Sequence, residues 1–145
     1  MLEIRRATED DCAMVFRWRN LDELVELSKD QRKVDRAEHD EWFKAALKNR
    51  DKMLFVIGPD AGFGRLERRH LKAHISLYIL PKFQGQGWGA EAIHRMTQEG
   101  LKRWPIKEII AEIRADNRRS KAVFNKVGYR VEGGEENGMR RYVHR

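Results

Sequence analysis

Residues 84–90 read Gln84, Gly85, Gln86, Gly87, Trp88, Gly89, Ala90, a glycine-rich turn between an apolar, β-prone run and a stretch of helical periodicity. The run comprises Ile75, Leu77, Ile79 and Leu80, and Pro81 closes it. The helical stretch begins near Gly89 and ends before Pro105. A helix start carries unpaired amides and a partial positive charge, and glycines let backbone approach an anion closely. Strand, glycine turn and helix start together predict a phosphate site. The glycines alone do not, because any tight strand-to-helix turn needs them.

The elements that must hold this turn can be read outward from it. Upstream, Ile4 opens a short strand, and Thr8 with Glu9, Asp10 and Asp11 has the pattern of a helix start. Met14, Val15 and Trp18 suit one helix face, and residues 21–27 suit a second short helix. Asp35 and Glu38 have capping-box spacing before a helix carrying Trp42, Phe43, Ala46 and Leu47. Residues 53–57, 63–69 and 73–80 read as three strands joined by short turns, which suits hairpins. After the turn, Ile93, Met96, Gly100, Leu101 and Trp104 form one helical stripe. A strand over 109–115, a helix over 120–127 and strands at 129–131 and 139–143 follow, the last two separated by a loop over 133–138. The expected fold is a mixed α/β (α+β) sheet of six to seven strands, mostly antiparallel, flanked by helices.

Composition bounds the rest. A chain of 145 residues, 41% apolar and 37% charged, suits a single domain over residues 1–145 that buries a core without metal or disulfides. The lone Cys12 excludes an internal disulfide, and its place on the first amphipathic helix suits a packed thiol rather than a reactive one. No apolar run approaches membrane-spanning length, so a cytoplasmic chain with no membrane partner is expected. The net charge of +7 favours an anionic partner. The cations are interleaved with acids, and no nucleic-acid recognition motif accompanies them, so a nucleic-acid role is not expected.

The order of elements and the motifs resemble the GNAT superfamily of acyl-CoA-dependent N-acetyltransferases. The family's phosphate pattern falls on Gln84, Gly87 and Gly89, the apolar strand end before it on Ile79, Leu80 and Pro81, and later markers on Asn117, Ser120, Gly128 and Tyr129. The resemblance covers most of residues 73–132. It implies acetyl-CoA as co-substrate and no metal. Amides of Gln84, Gly85, Gln86, Gly87, Trp88, Gly89 and Ala90 would grip the pyrophosphate, with Gly87 and Gly89 keeping side chains out of its path. Backbone groups of Leu77, Tyr78 and Ile79 would meet the pantetheine arm in a splayed gap between parallel strands. Asn117 with Ser120 would hold the arm or the phosphates, and Phe124 would pack beside it. Arg95, Arg118 and Lys126 are candidates for the 3′-phosphate, each equally consistent with a solvated surface.

The implied reaction is attack of a neutral amine on the thioester, which needs a base, an oxyanion donor and an acid. The resemblance gives the Ile79 amide as oxyanion donor. It also meets two departures: Phe124 stands where many members carry a tyrosine acid, and Ala73 where some carry a glutamate. Glu67, His74 and Ser76 remain as candidate bases, and His74 has the suitable unperturbed pKa. Surface roles for Glu67 and His74 are equally open.

The amine acceptor is expected beneath the N-terminal helices, at Arg17, Trp18, Arg19, Asn20, His39 and Trp42. This region resembles, more loosely, acetyltransferases acting on nucleotide-linked amino sugars. A tryptophan there could stack on a base or sugar, or simply anchor its helix in the core. Three functions follow: an N-acetyltransferase with a small amino-sugar acceptor, a protein N-terminal acetyltransferase of the ribosomal-protein type, or a non-catalytic acyl-CoA-binding module. Pairing through residues 129–144 would give a homodimer.

Overall fold

The structure, a computed structural model, describes residues 2–27 and 32–145. Seven strands form one sheet in the order β1-β2-β3-β4-β5-β7-β6: β1 Ile4–Arg6, β2 Lys52–Ile57, β3 Gly62–Arg69, β4 Lys72–Ile79, β5 Glu108–Arg114, β6 Arg130–Glu136 and β7 Met139–His144. Five helices complete it: α1 Cys12–Arg19, α2 Asp22–Leu27, α3 Arg36–Lys48, α4 Trp88–Arg103 and α5 Arg118–Val127. Every pairing is antiparallel except β4 with β5, where α4 makes the crossover that parallel strands require.

The two faces of the sheet are packed separately. On one, Ile93 and Met96 of α4 and Phe124 of α5 lie on Met53, Leu66, Ile75 and Ile109. On the other, Val15 and Trp18 of α1 and Phe43 of α3 lie on Leu54, Val56 and Phe63. Alternation along β2, β3 and β4 sends side chains to these two cores in turn. α3 starts as its sequence predicts, with the Asp35 carboxylate accepting the N–H groups of Ala37 and Glu38. α1 follows a single turn at Glu9–Asp11, where the buried Asp11 carboxylate accepts from the Thr8 N–H and from both terminal nitrogens of Arg5.

Two local expectations are corrected. Leu101 lies off the buried stripe of α4 and is 40% exposed, its place against the sheet being taken by Thr97 and Gly100. Residues 133–136 belong to β6, and Asn137 and Gly138, both at positive φ (53° and 77°), make the two-residue hairpin turn to β7. A bulge between Glu132 and Glu136 absorbs the glycine pair. No helix among the described residues is long and apolar enough to cross a membrane.

The feature that positions the site is where β4 and β5 stop pairing. Lys72, Ala73 and His74 pair with Glu108, Ile109 and Ile110, and the register ends there. Residues 75–79 stay with β3, while residues 111–114 stay with β7. The sheet thus opens into a V with its apex at His74 and its mouth facing the start of α4.

Candidate active site

The glycine turn at the mouth is built by conformation. Gly85 and Gly87 sit at φ of 83° and 81°, and Gly87 is the N-cap of α4 with no side-chain cap. A residue with a Cβ adopts this left-handed backbone only at a cost. Space is not the constraint, because nothing stands within 4 Å of the missing Cβ of either residue. Gly89 has no such requirement, and a Cβ there would make ordinary contact with Val123 at 3.5 Å. At Gly87 the backbone supplies a reason for glycine that is independent of any ligand. The first amides of α4, from Trp88 to Ala90, have no intrahelical partner by position and are the donors an anion would meet.

Two side chains hold the turn in place. Phe83 stacks on Trp88 at 5.4 Å between centroids. The Gln84 side-chain amide donates to the Ile79 carbonyl at 2.9 Å, and the Gln84 backbone N–H donates to Pro81. Gln84 therefore ties turn to strand, and neither group is aimed at an anion. Arg95 is likewise committed, to the Leu2 carbonyl at 2.7 Å.

Inside the V, strand alternation decides which backbone groups face the gap. The Leu80 N–H donates to the Ala61 carbonyl. By the two-residue repeat, Tyr78 also turns its peptide groups to β3, while Leu77 and Ile79 turn theirs to the gap. The Tyr78 carbonyl indeed lies where a side chain on Gly62 would stand, which is why β3 begins with glycine. Tyr78 is therefore no backbone donor to the gap.

On the opposite wall, the Asn117 side-chain oxygen accepts the Ser120 N–H at 3.1 Å, so their spacing is first of all the N-cap of α5. The Asn117 side-chain NH2 remains for a ligand. Phe124 is 3% exposed, packed edge-on against Tyr129 in the core, and does not line the gap. Val123, one residue earlier, is the α5 side chain that approaches the turn at Gly89. The Tyr129 hydroxyl is bonded to Thr97 at 2.7 Å and burial raises its pKa, so it is no substitute for a tyrosine at 124.

The face of the sheet under α1 and α3 carries the titratable groups. Glu67 and His74 are cross-strand partners, and His74 Nδ1 lies 3.8 Å from Glu112 on β5. Burial, then Arg69, lowers the His74 pKa from 6.5, against the opposing pull of Glu112. The imidazole at the apex is thus neutral at pH 7 and can accept a proton. Next along this face, Ser76 receives a hydrogen bond from Arg65 Nε at 3.1 Å, and the Arg65 guanidinium lies over the Trp42 ring at 5.4 Å. Arg65 was invisible in the sequence, where it is one cation among many; only the register with Ser76 brings it here.

The residues expected to line the acceptor region divide. Trp42 and Arg19 lie at this face. Trp18 is buried edge-on against Tyr78, and His39 is buried among Phe16, Trp42 and Phe43 with its Nε2 on the Cys12 carbonyl at 3.1 Å. Both are packing residues. Asn20 uses its amide in both directions on the Val34 backbone, bracing the approach to α3. Arg17, two residues from Arg19, is turned about 200° away around α1 and is exposed. A surface hollow of about 680 Å³ beside Asp51, His70 and Pro105 lies at the far end of β3 and has none of these features.

A family model described as an acetyltransferase (GNAT) domain matches residues 1–130. An uncharacterized N-acetyltransferase of Bacillus subtilis, YoaA, is 29% identical over 72 residues. That match covers 50% of this chain, which spans only 41% of the relative's length. Among solved structures, the aminoglycoside acetyltransferase AAC(6')-Ib in complex with coenzyme A superposes with a TM-score of 0.85 at 16% identity, over 99% of this chain and 94% of that one. The ribosomal alpha-N-protein acetyltransferase RimL, also with coenzyme A, gives 0.83 at 20% identity, over 99% and 93%. At these identities the structural likeness speaks for the fold. With a strand pair that splays over a left-handed glycine turn and a family model spanning most of its length, this chain belongs to the GNAT acetyltransferase family.

Proposed function

We propose that the protein transfers an acetyl group from acetyl-CoA to the primary amine of a small acceptor, an amino sugar linked to a nucleotide. The observation that carries the donor half is the V itself. An extended arm needs unpaired strand groups along its length and an anion grip at the mouth, and the gap offers both. The amides of Trp88, Gly89 and Ala90 hold the pyrophosphate, Leu77 and Ile79 offer peptide groups to the arm, and the Asn117 NH2 meets it from α5. When bound, acetyl-CoA supplies a thioester carbonyl and a thiol leaving group.

The residues divide the work by depth. Ile79, expected as the oxyanion donor, has its carbonyl held by Gln84 beside the turn. Leu77 is the next gap-facing amide and lies about 7 Å deeper along the strand. Its N–H takes the negative charge developing on the thioester oxygen. His74 stands about 10 Å beyond Leu77, within reach of the amine through one or two waters. It accepts the ammonium proton, and Glu67 and Glu112 on either side stabilise the imidazolium that forms. Phe124 can donate no proton, and a thiol with a pKa near about 8.5 leaves without needing a strong acid.

The acceptor half rests on the charge of the cleft, where Arg19 and Arg65 favour a phosphate-bearing molecule over a polyamine. The test is a thiol-release assay across nucleotide amino sugars, peptides with free N-termini and polyamines. Release with the first group supports the reading. Release only with peptides moves the chain to protein N-terminal acetylation, and tight acetyl-CoA binding with no release on any amine makes it a binding module.

A further inference from the structure

The cleft beneath α1 and α3 contains a cation, Arg65, that has no ion-pair partner among the described residues. Arg65 projects from the middle of β3, donates through Nε to Ser76 at 3.1 Å, and lies over Trp42 at 5.4 Å. Among the described residues no carboxylate stands within ion-pairing distance of its guanidinium, whereas Arg5, Arg36, Arg68, Arg69, Arg103 and Arg145 each have one. Its side chain is accessible to solvent, yet the surrounding protein, against the opposing pull of Glu67 and together with the nearby Arg19, makes it a poorer proton binder than a free arginine. Accessible and crowded together describe the floor of a cleft rather than a convex surface.

Two neighbours point the same way. Ser76 and Trp42 fix the guanidinium plane by its Nε and its face, which leaves the two terminal nitrogens as an open fork. A held fork suits a carboxylate or phosphate, which accepts two parallel N–H bonds. The Tyr78 hydroxyl, on the same strand face as Ser76, is buried without a hydrogen-bond partner among the described residues. An unsatisfied buried hydroxyl is costly, so this face keeps unused hydrogen-bonding capacity.

We propose that Arg65, braced by Ser76 and Trp42, is the receptor for an oxyanion carried by the amine acceptor, a phosphate or a carboxylate. It is a specificity-determining residue, and its place two positions along β3 from Glu67 sets the anion one strand-step from the base at His74. The substrate half of this inference rests on the acetyltransferase reading; the anion site itself does not.

The experiment uses the protein saturated with CoA, so that the phosphate turn is already filled. Inorganic pyrophosphate and succinate are titrated separately while the thermal midpoint is followed, with wild type, Arg65→Gln and Arg65→Lys. One of the two anions is expected to raise the wild-type midpoint, and Arg65→Gln to weaken its binding at least about tenfold, as for loss of a charge-assisted pair. Arg65→Lys, which keeps the charge, recovers part. CoA affinity and the anion-free midpoint of Arg65→Gln stay near wild type, which excludes misfolding as the cause. No response to either anion in wild type, or an unchanged response in Arg65→Gln, overturns the proposal. Which anion responds decides between phosphate and carboxylate. A parallel turnover series compares glucosamine with glucosamine 6-phosphate, where Arg65→Gln is expected to raise KM for the phosphorylated amine alone. If no amine releases thiol, the acetyltransferase reading fails, while the titration still decides the anion site.

Discussion

His74 combines three properties at the residue scale: it sits at the apex of the V, it is half-buried, and it lies between two carboxylates. Its lowered pKa means that the neutral, proton-accepting form is gained at a pH below the ordinary histidine value of 6.5. The acid limb of kcat/KM should therefore rise through an apparent pKa below that value. His74→Gln should remove the limb and lower kcat by about a hundredfold, with acetyl-CoA affinity unchanged. An unaltered pH profile in this variant would return the role to Glu67 or to water. Gln84 offers a second test at this scale. Its side chain bonds to Ile79, so Gln84→Ala should cost about 1 kcal/mol in denaturant unfolding. A variant that loses CoA binding without losing stability would instead make Gln84 a direct ligand.

The turn into α4 and the V above it act as single elements. Gly87 is needed for its left-handed backbone, in open space. Gly87→Ala should therefore cost about 1–2 kcal/mol of stability or shift the helix start, and raise KM for acetyl-CoA more than it lowers kcat. Gly89→Ala is the matched control: its backbone is helical and the added methyl makes ordinary contacts with Val123 at 3.5 Å and Ile79 at 3.8 Å. It should be tolerated in folding, so any loss of CoA affinity in it reports crowding of the ligand itself. The sequence made the turn legible because glycines, Pro81 and the flanking periodicities are local signals. Tyr78 shows the limit: whether its peptide groups face β3 or the gap depends on the pairing partner, which alternation within β4 alone does not reveal.

Across the whole molecule, pH acts on stability through groups far from one another. Burial lowers the proton affinity of both His39 and His74 from 6.5. As pH falls the unfolded chain takes up these protons first, so stability is full above that value and declines below it until the folded histidines protonate as well. Asp11 acts in a lower window. The Arg5 hydrogen bonds hold its carboxyl below the usual 3.8, so its contribution is full above 3.8 and is lost as pH falls through the folded-state value. Thermal midpoints measured from about pH 7.5 to about pH 3 should fall in two stages, with His39→Gln flattening the first and Asp11→Asn the second. A single acid transition unaffected by either variant would refute this division.

The sequence by itself determined the order of strands and helices and the glycine turn that opens α4, and its motifs resembled those of acetyl-CoA-dependent transferases. The elements are written in neighbouring residues: a cap at Asp35, glycines at 85 and 87, alternation along 73–80; the cap at Asn117 emerged only in the structure. The sequence could not tell Trp18 and His39, which pack the core, from Trp42, which faces the cleft, because all three sit on helices among charged neighbours that do not mark a buried face. It expected Phe124 beside the ligand; the structure buries Phe124 against Tyr129 and brings Val123 to the turn at Gly89. Tertiary structure decided these, together with the V and the meeting of Arg65 with Ser76 and Trp42. Burial, register and the distance between charges depend on residues far apart in the chain, and no local pattern carries them.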